Sequence, residues 1–281
     1  MDIKVIVLDL DGTLLNSKSQ INSKTKETLI NLQSNGYHVV LASGRPTPSV
    51  VGIAKELEMD KYDSYILTFN GAHVMNYKTK EVVYQQPLSV ESAKSVLAHL
   101  ENFDVVPMVC IDNTMYVKDV YSGFVEHEGQ LKNILEFEAR IGNYKLAEVD
   151  SLKDFVSVPL SKILITGNVD YLSDNLEAFK EPFHGLNTIT KSADFFVEFT
   201  DYGVDKAKSL DEILNRLGLS RENVIAFGDG MNDYTLLQAA KVGVAMGNAT
   251  SALKEIADYV TDTNDNDGIV SGLEKYQIKA H

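Results

Sequence analysis

The chain has 281 residues, 44% of them hydrophobic, and carries 26 Lys plus Arg against 40 Asp plus Glu, a formal net charge of −14. That length and apolar content allow one large or two moderate domains with a real core, and the acidic balance argues against a nucleic-acid partner, whose phosphates need clustered cations. One cysteine, Cys110, excludes an intramolecular disulfide framework and a multi-cysteine metal site; no apolar run approaches the roughly 18 residues of a membrane span, so a cytoplasmic chain with no membrane partner is expected.

The first element is Val5 to Leu8, apolar and β-branched without alternation, as a strand covered on both faces reads. It runs into Asp9-Leu10-Asp11-Gly12-Thr13. Residues i and i+2 of a strand point the same way, so Asp9 and Asp11 would crowd each other if the extended geometry continued, and crowded carboxylates repel unless something positive joins them. An Asp-Gly turn alone would account for the pair. At about 1 in 20 per specified residue, however, Asp-x-Asp-Gly-Thr arises by accident in roughly one chain of this length in 500. A helix from Asn22 to Asn35, a strand from Tyr37 to Ala42, a helix near Ser49 to Leu57 and a strand from Tyr65 to Phe69 follow. This alternation predicts a parallel sheet with right-handed crossovers. Asn70-Gly71-Ala72 then reads as a hairpin turn.

From about Gln86 the texture changes. A helix with Ala93, Val96, Leu97 and Leu100 on one face is followed by two strand-like runs, 105–111 and 114–120. A polar helical stretch near Glu126 to Ile141, a strand at 162–167, a helix around Leu172 to Phe179 and a strand at 186–191 complete an α+β segment, expected to contain an antiparallel sheet. Phe195 to Thr200 leads into a helix with Leu210, Ile213, Leu214 and Leu217 at one-face spacing, closed by Gly218. The strand ending in Gly228-Asp229-Gly230, a helix near Tyr234 to Ala240 and two further strands with a helix between them restore the α/β alternation. The chain therefore reads as one α/β domain interrupted by an inserted α+β domain.

Ligands of open α/β sheets bind beyond the carboxyl ends of the strands, and the chemistry-bearing residues stand at such ends. Ser43 and Gly44 follow a strand and precede a helix, so the hydroxyl and neighbouring N–H groups suit a phosphoryl oxygen as well as a simple helix cap. Lys206 opens a helix, where the macrodipole disfavours a cation, so it makes more sense facing an anion. Asp229 and Asp233 lie about a helical turn apart and, beside Asp9 and Asp11, supply the carboxylates that a hard cation requires. None of the six histidines has metal-like spacing.

In this order "DLDGTLL", "LASGR", "GVDKAKSL" and "FGDGMNDYTLL" resemble the four motifs of the haloacid dehalogenase-like phosphohydrolase superfamily, and "FNGA", "VGVAMGNA" and "DGIVSGLEKY" are similar to its Cof-like subfamily. The resemblance implies a Rossmann-like three-layer core, residues 1–83 and 192–281, with an α/β cap at 84–191, and a Mg²⁺-dependent phosphatase acting on a small phosphate ester. It implies that Asp9 is the nucleophile that becomes an aspartyl phosphate, and that Asp11 protonates the leaving oxygen and then deprotonates water. Mg²⁺ would be bound by the Asp9 carboxylate, the Asp11 carbonyl and Asp229. Ser43, Gly44, Lys206 and Asn232 would hold the transferring oxygens, and Asp233 would orient Lys206 or the metal's waters. Ala207 departs from the family, which often has glycine after the motif lysine. A phosphomutase, or a phospho-aspartate signalling domain without turnover, would use a similar pocket. Tyr116, Tyr121 and His127 are candidates for contacting the leaving group from the cap.

Overall fold

The computed structural model describes residues 2–127 and 129–279. It separates into two compact units, one built from residues up to Gln85 and from Asp205 onward, the other from Gln86–Val204. Before the insertion come Val5–Leu8 (β1), Ser23–Ser34 (α1), His38–Ala42 (β2), Thr47–Glu56 (α2), Tyr65–Thr68 (β3), His73–Asn76 (β4) and Val82–Gln85 (β5). The insertion opens with Val90–Leu100 (α3), Val106–Ile111 (β6), Thr114–Val117 (β7), Phe124–His127 (β8), Gln130–Asn133 (β9) and Ile134–Gly142 (α4). It continues through Lys145–Glu148 (β10), Leu152–Phe155 (α5), Ile163–Thr166 (β11), Val169–Asp174 (α6), Leu176–Lys180 (α7), Asn187–Ala193 (β12) and Phe196–Asp201 (β13). Lys206–Leu217 (α8), Val224–Gly228 (β14), Tyr234–Ala239 (α9), Val242–Ala245 (β15), Ser251–Ile256 (α10), Tyr259–Val260 (β16) and Gly268–Lys275 (α11) close the chain.

The first unit is an eight-stranded sheet ordered β16-β15-β14-β1-β2-β3-β4-β5. Pairing is parallel from β16 to β3, and β4 and β5 form an antiparallel edge. Every residue of β1, β3, β14 and β15 is buried, so both faces of the sheet are covered and the unit is the expected three-layer α/β core. Leu29 and Leu32 of α1, Val50 and Ala54 of α2, and Leu210, Ile213 and Leu214 of α8 belong to the same apolar cluster as the strands. From β1 the chain moves outward in one direction through β2 and β3, and later in the other through β14 and β15. Strand order thus reverses between β1 and β14, the position at which a doubly wound sheet opens a crevice.

The second unit is a six-stranded sheet ordered β10-β7-β6-β11-β13-β12, antiparallel except where β10 joins β7. Its strands alternate between two cores: Ile163, Ile165, Val197 and Phe199 pack on one face with α3, while Leu164 and Phe196 pack on the other with Ile134 and Leu135 of α4.

Three sequence expectations are corrected here. The stretch expected as a helix from Glu126 to Ile141 begins as the β8–β9 hairpin, with Gly129 at φ 72° in the turn, and becomes helical only after Asn133, whose side chain caps α4 by accepting from Glu136 N at 3.1 Å. The helix expected around Leu172 to Phe179 is broken at Asn175, whose backbone leaves helical values at φ −100° and ψ 4° and whose side-chain amide shares the Tyr171 carbonyl with its own N–H, at 2.9 and 3.1 Å. The inserted unit ends at Val204, not at 191, because β13 is the antiparallel partner of both β11 and β12 and cannot leave their sheet. Its first boundary, Gln86, lies two residues beyond the expected 84 because β5 pairs with β4 in the core sheet.

Candidate active site

Leu8 of β1 is level with Phe227 of β14 and Leu41 of β2, so the residues that follow these strands emerge along one edge of the sheet. Asp9 leaves β1 there, tied by its N–H to the Phe227 carbonyl at 3.1 Å and by its carbonyl to Leu14 N at 3.2 Å. The chain turns at once: Leu15 N donates to the Leu10 carbonyl at 2.8 Å. The extended geometry therefore does not persist through the pair, and Asp9 and Asp11 do not crowd each other. Asp9 is buried, whereas the Asp11 side chain is 59% exposed and faces Arg45.

Lys206 is the organising group. It is the first residue of α8, which starts there because Asp205 accepts from Ala207 N at 2.9 Å and Lys208 N at 3.1 Å. Its ammonium, fully buried, donates to Asp9 Oδ1 at 2.7 Å and Asp233 Oδ1 at 2.6 Å. Burial pulls the Lys206 pKa down, but the pull of Asp233 and then Asp9 outweighs it, and the net direction is up. Asp233 uses its other oxygen to accept from Asp229 N and Gly230 N, each at 3.1 Å. Asp229 Oδ1 accepts from the Thr13 hydroxyl at 2.9 Å. Gly12, at φ 78°, lies so close that a Cβ would meet Asp229 Oδ2 at 2.2 Å.

Asp9, Asp229 and Asp233 each bring a carboxylate oxygen within 4.8 Å of the others. Only one ammonium stands among them. Burial first, and the neighbouring Asp233 second, push the Asp9 pKa well above its ordinary range and Asp229 up to about 6. An excess of buried negative charge presented by oxygen donors suits a small hard dication such as Mg²⁺. Asp233, with both oxygens occupied by protein donors, is better placed to support the site than to ligate; Asp9 and Asp229 each keep an oxygen that no protein group engages in the hydrogen bonds described above.

Ser43, 2% exposed, follows β2 and is pinned by its N–H to the Leu67 carbonyl at 2.8 Å and by its carbonyl to Asn70 N at 3.0 Å; its hydroxyl oxygen accepts from Arg45 N at 3.0 Å. Gly44 lies against the Asn70 amide, where a Cβ would stand 3.0 Å from Oδ1, and Asn232 Nδ2 donates to that same oxygen at 3.2 Å. The expected residues thus fall into two adjoining groups: Asp9, Lys206, Asp229 and Asp233, and the Ser43, Gly44 and Asn232 set joined through Asn70. Asp11 stands apart from the carboxylate cluster.

Sequence reasoning passed over Arg45, Thr13, Asn70, Asp205 and Asn248. Asn70 does form the expected β3–β4 hairpin turn, but it also bridges to Asn232, and Asn248 Nδ2 holds the Gly12 carbonyl at 2.8 Å. The available signals were motif membership and position: Arg45 closes "LASGR" two residues after Ser43, and Thr13 closes Asp-x-Asp-Gly-Thr two after Asp11. In the inserted unit the Tyr116 ring packs on Phe155 with centroids 4.5 Å apart and Tyr121 is 81% exposed, while the side chain of His127 lies outside the described residues.

The profile of the haloacid dehalogenase-like hydrolase family matches residues 6–273, and the chain belongs to that family. It is similar over 99% of its length, at 28% identity, to the 5-amino-6-(5-phospho-D-ribitylamino)uracil phosphatase YcsE of Bacillus subtilis, 97% of which is covered. It is 28% identical to the pyridoxal phosphate phosphatase YbhA of Escherichia coli, across 99% of this chain and 100% of that one. The crystal structure of a haloacid dehalogenase-like hydrolase from Bacteroides thetaiotaomicron superposes with a TM-score of 0.88 at 34% identity, covering 98% of this chain and 99% of that one. The chain is thus an enzyme of a superfamily whose phosphatases are phosphoric monoester hydrolases. Among the described residues no helix is long and apolar enough to cross a membrane.

Proposed function

We propose that the protein hydrolyses small phosphorylated metabolites through a phosphoryl-Asp9 intermediate, with Mg²⁺ held by the Asp9 carboxylate, the Asp11 carbonyl and Asp229. The observation that carries this reading is the contact of Lys206 with both Asp9 and Asp233 at the strand-order reversal, which leaves a nucleophilic carboxylate beside a fixed positive charge. When bound, the metal would neutralise charge on the carboxylates and on the phosphoryl oxygens. Lys206, the Ser43 hydroxyl, Gly44 N–H and Asn232 receive the transferring oxygens. Asp9 attacks phosphorus, and Asp11 gives a proton to the departing oxygen. Asp11 then takes a proton from water as the acyl phosphate is cleaved. One acid serves both halves because the covalent intermediate separates alcohol departure from water attack. Asp233 fixes Lys206 and touches no reacting atom.

The inserted unit acts as the cap that recognises the leaving group and excludes water. The names of the two relatives point to substrates with a phosphorylated polar chain or ring, and sugar phosphates, nucleotides and cofactor phosphates fit the same chemistry. The lone cysteine and the acidic surface agree with a cytoplasmic setting. The test is phosphate release from a panel containing 5-amino-6-(5-phosphoribitylamino)uracil, pyridoxal phosphate and sugar phosphates, with and without Mg²⁺, for the natural protein and Asp9→Asn. Metal-dependent turnover lost in the variant is expected; a stable phosphoryl adduct on Asp9 without turnover would replace the phosphatase by a signalling domain.

A further inference from the structure

Arg45 is a charged residue of this region that the proposed chemistry leaves without a task, and its geometry is specific. Its Nε donates to Asp11 Oδ2 at 2.7 Å and its Nη2 to Asp11 Oδ1 at 2.5 Å, a two-pronged fork that matches guanidinium to carboxylate. No other group hydrogen-bonds the Asp11 carboxylate among the described residues, and that side chain is 59% exposed against 17% for Arg45. An exposed aspartate on a turn would sample several rotamers. Here one partner removes that freedom.

The partner is itself held from both sides. Arg45 N donates to the Ser43 hydroxyl at 3.0 Å, and its carbonyl accepts from Phe69 N at 3.0 Å. Phe69 and Asn70 sit at φ 53° and 55°, a left-handed pair that is unfavourable for a bulky aromatic residue. Such strain persists only where the surroundings over-determine it, and it gathers at functional sites. Pro46 follows, with its own φ fixed by its ring. The backbone of Arg45 is thus anchored more firmly than a surface ion pair needs, since exposed pairs contribute only about 0 to 1 kcal/mol.

From the fork and its anchorage we infer that Arg45 is a positioning residue, which orients the Asp11 carboxyl group toward the leaving oxygen and then toward water; this rests on the phosphatase reading. In the first half, one Asp11 oxygen leaves the fork and carries a proton while the other stays on Arg45; an Asp9 oxygen bonds to phosphorus, the bond from phosphorus to the leaving oxygen breaks with its electron pair on that oxygen, and the oxygen takes that proton. In the second half, water bonds to phosphorus and passes a proton to Asp11 as the phosphorus–Asp9 bond breaks. A good leaving group such as p-nitrophenolate needs no proton in the first half, whereas an alkoxide does.

The test compares the best-hydrolysed sugar phosphate with p-nitrophenyl phosphate, in the natural enzyme and Arg45→Gln. For the sugar phosphate, kcat is expected to fall about 100-fold, the lower range for loss of a placed acid–base group, with KM changed less than about threefold. For p-nitrophenyl phosphate, rapid mixing should show a burst of p-nitrophenol near one equivalent per site followed by slow turnover, because only water activation is impaired. Adding Arg45→Gln to Asp11→Asn should cost nothing more, and millimolar guanidinium should restore part of the sugar phosphate kcat of Arg45→Ala. If Arg45→Gln does not fold, Arg45→Lys, which keeps the charge without the fork, serves in the same comparison. A sugar phosphate kcat within about threefold of natural overturns the assignment. So does a rise in KM on both substrates without a burst, since that would make Arg45 a direct phosphate ligand. A natural enzyme that releases no phosphate overturns the phosphatase reading and the Arg45 role with it, whereas an active natural enzyme with an unaffected variant overturns Arg45 alone.

Discussion

Replacing Lys206 by Met tests the central cluster through stability, independently of any substrate. Lys206 is wholly buried and donates to Asp9 at 2.7 Å and Asp233 at 2.6 Å. Met fills the space of the stem but returns no charge, so two buried carboxylates lose their shared cation. Breaking a buried pair by removing one partner costs about 3 to 5 kcal/mol, and at roughly 2 to 4 °C per kcal/mol the melting temperature should fall by about 6 to 20 °C. The loss must depend on pH in a stated direction. The Asp9 pKa is already raised well above the ordinary range by burial, and without Lys206 it rises further; protonation at low pH then removes the unpaired charge. The variant should therefore be closer to the natural protein at pH 5 than at pH 8. Lys206→Met combined with Asp233→Asn should be less unstable than the sum of the single variants by more than about 1 kcal/mol. The assay is thermal melting of the metal-free proteins by circular dichroism at both pH values. A cost below about 1 kcal/mol at both, with additive double-variant energies, would refute the description of the cluster.

Four further outcomes follow from the structure. Gly12→Ala combines an unfavourable φ of 78° with a Cβ that would meet Asp229 Oδ2 at 2.2 Å, so Asp229 must move, and Mg²⁺ affinity measured by titration calorimetry should weaken about tenfold or more. Because burial pushes Asp229 up to about 6 and Asp9 well above its ordinary range in the metal-free protein, protons compete with the metal at both carboxylates, and Mg²⁺ affinity should fall as the pH is lowered through 6. By the same linkage, Asp229 binds its proton more tightly folded than at its ordinary value of 3.8, so its contribution to metal-free stability rises as pH falls from about 6 toward 4. In the inserted unit Lys162→Met would remove the buried ion pair with Glu198 at 2.9 Å and should destabilise by about 3 to 5 kcal/mol; adding Glu198→Leu should recover much of that in urea unfolding.

The core was legible because its signals are local. Unbroken apolar runs such as Val5–Leu8 and Val224–Gly228 exist only where both faces of a strand are covered, and alternation with amphipathic helices forces parallel pairing. Motif spacing also placed Asp9, Ser43, Lys206 and Asp229 at strand and helix ends, where a doubly wound sheet gathers ligands. The inserted unit was less legible. A short polar run such as Phe124 to Asn133 has no periodicity strong enough to choose between strand and helix, and the helix break at Asn175 is a backbone turn that composition does not reveal. The boundary after β13 depends on which sheet accepts Phe196–Asp201, and hydrogen-bond pairing across the fold makes that choice.

The sequence by itself determined the chemistry available, namely carboxylates, one lysine and a Ser-Gly loop at strand ends, because residue type and secondary-structure period are properties of neighbouring positions. Which partner each group takes was decided only by the tertiary structure. Asp9 and Asp11 are two residues apart yet face different cations, Lys206 and Arg45, which stand 197 and 34 positions away along the chain. The turn at Leu10 and the reversal of strand order between β1 and β14 bring those distant cations to them, and no local pattern encodes such a meeting.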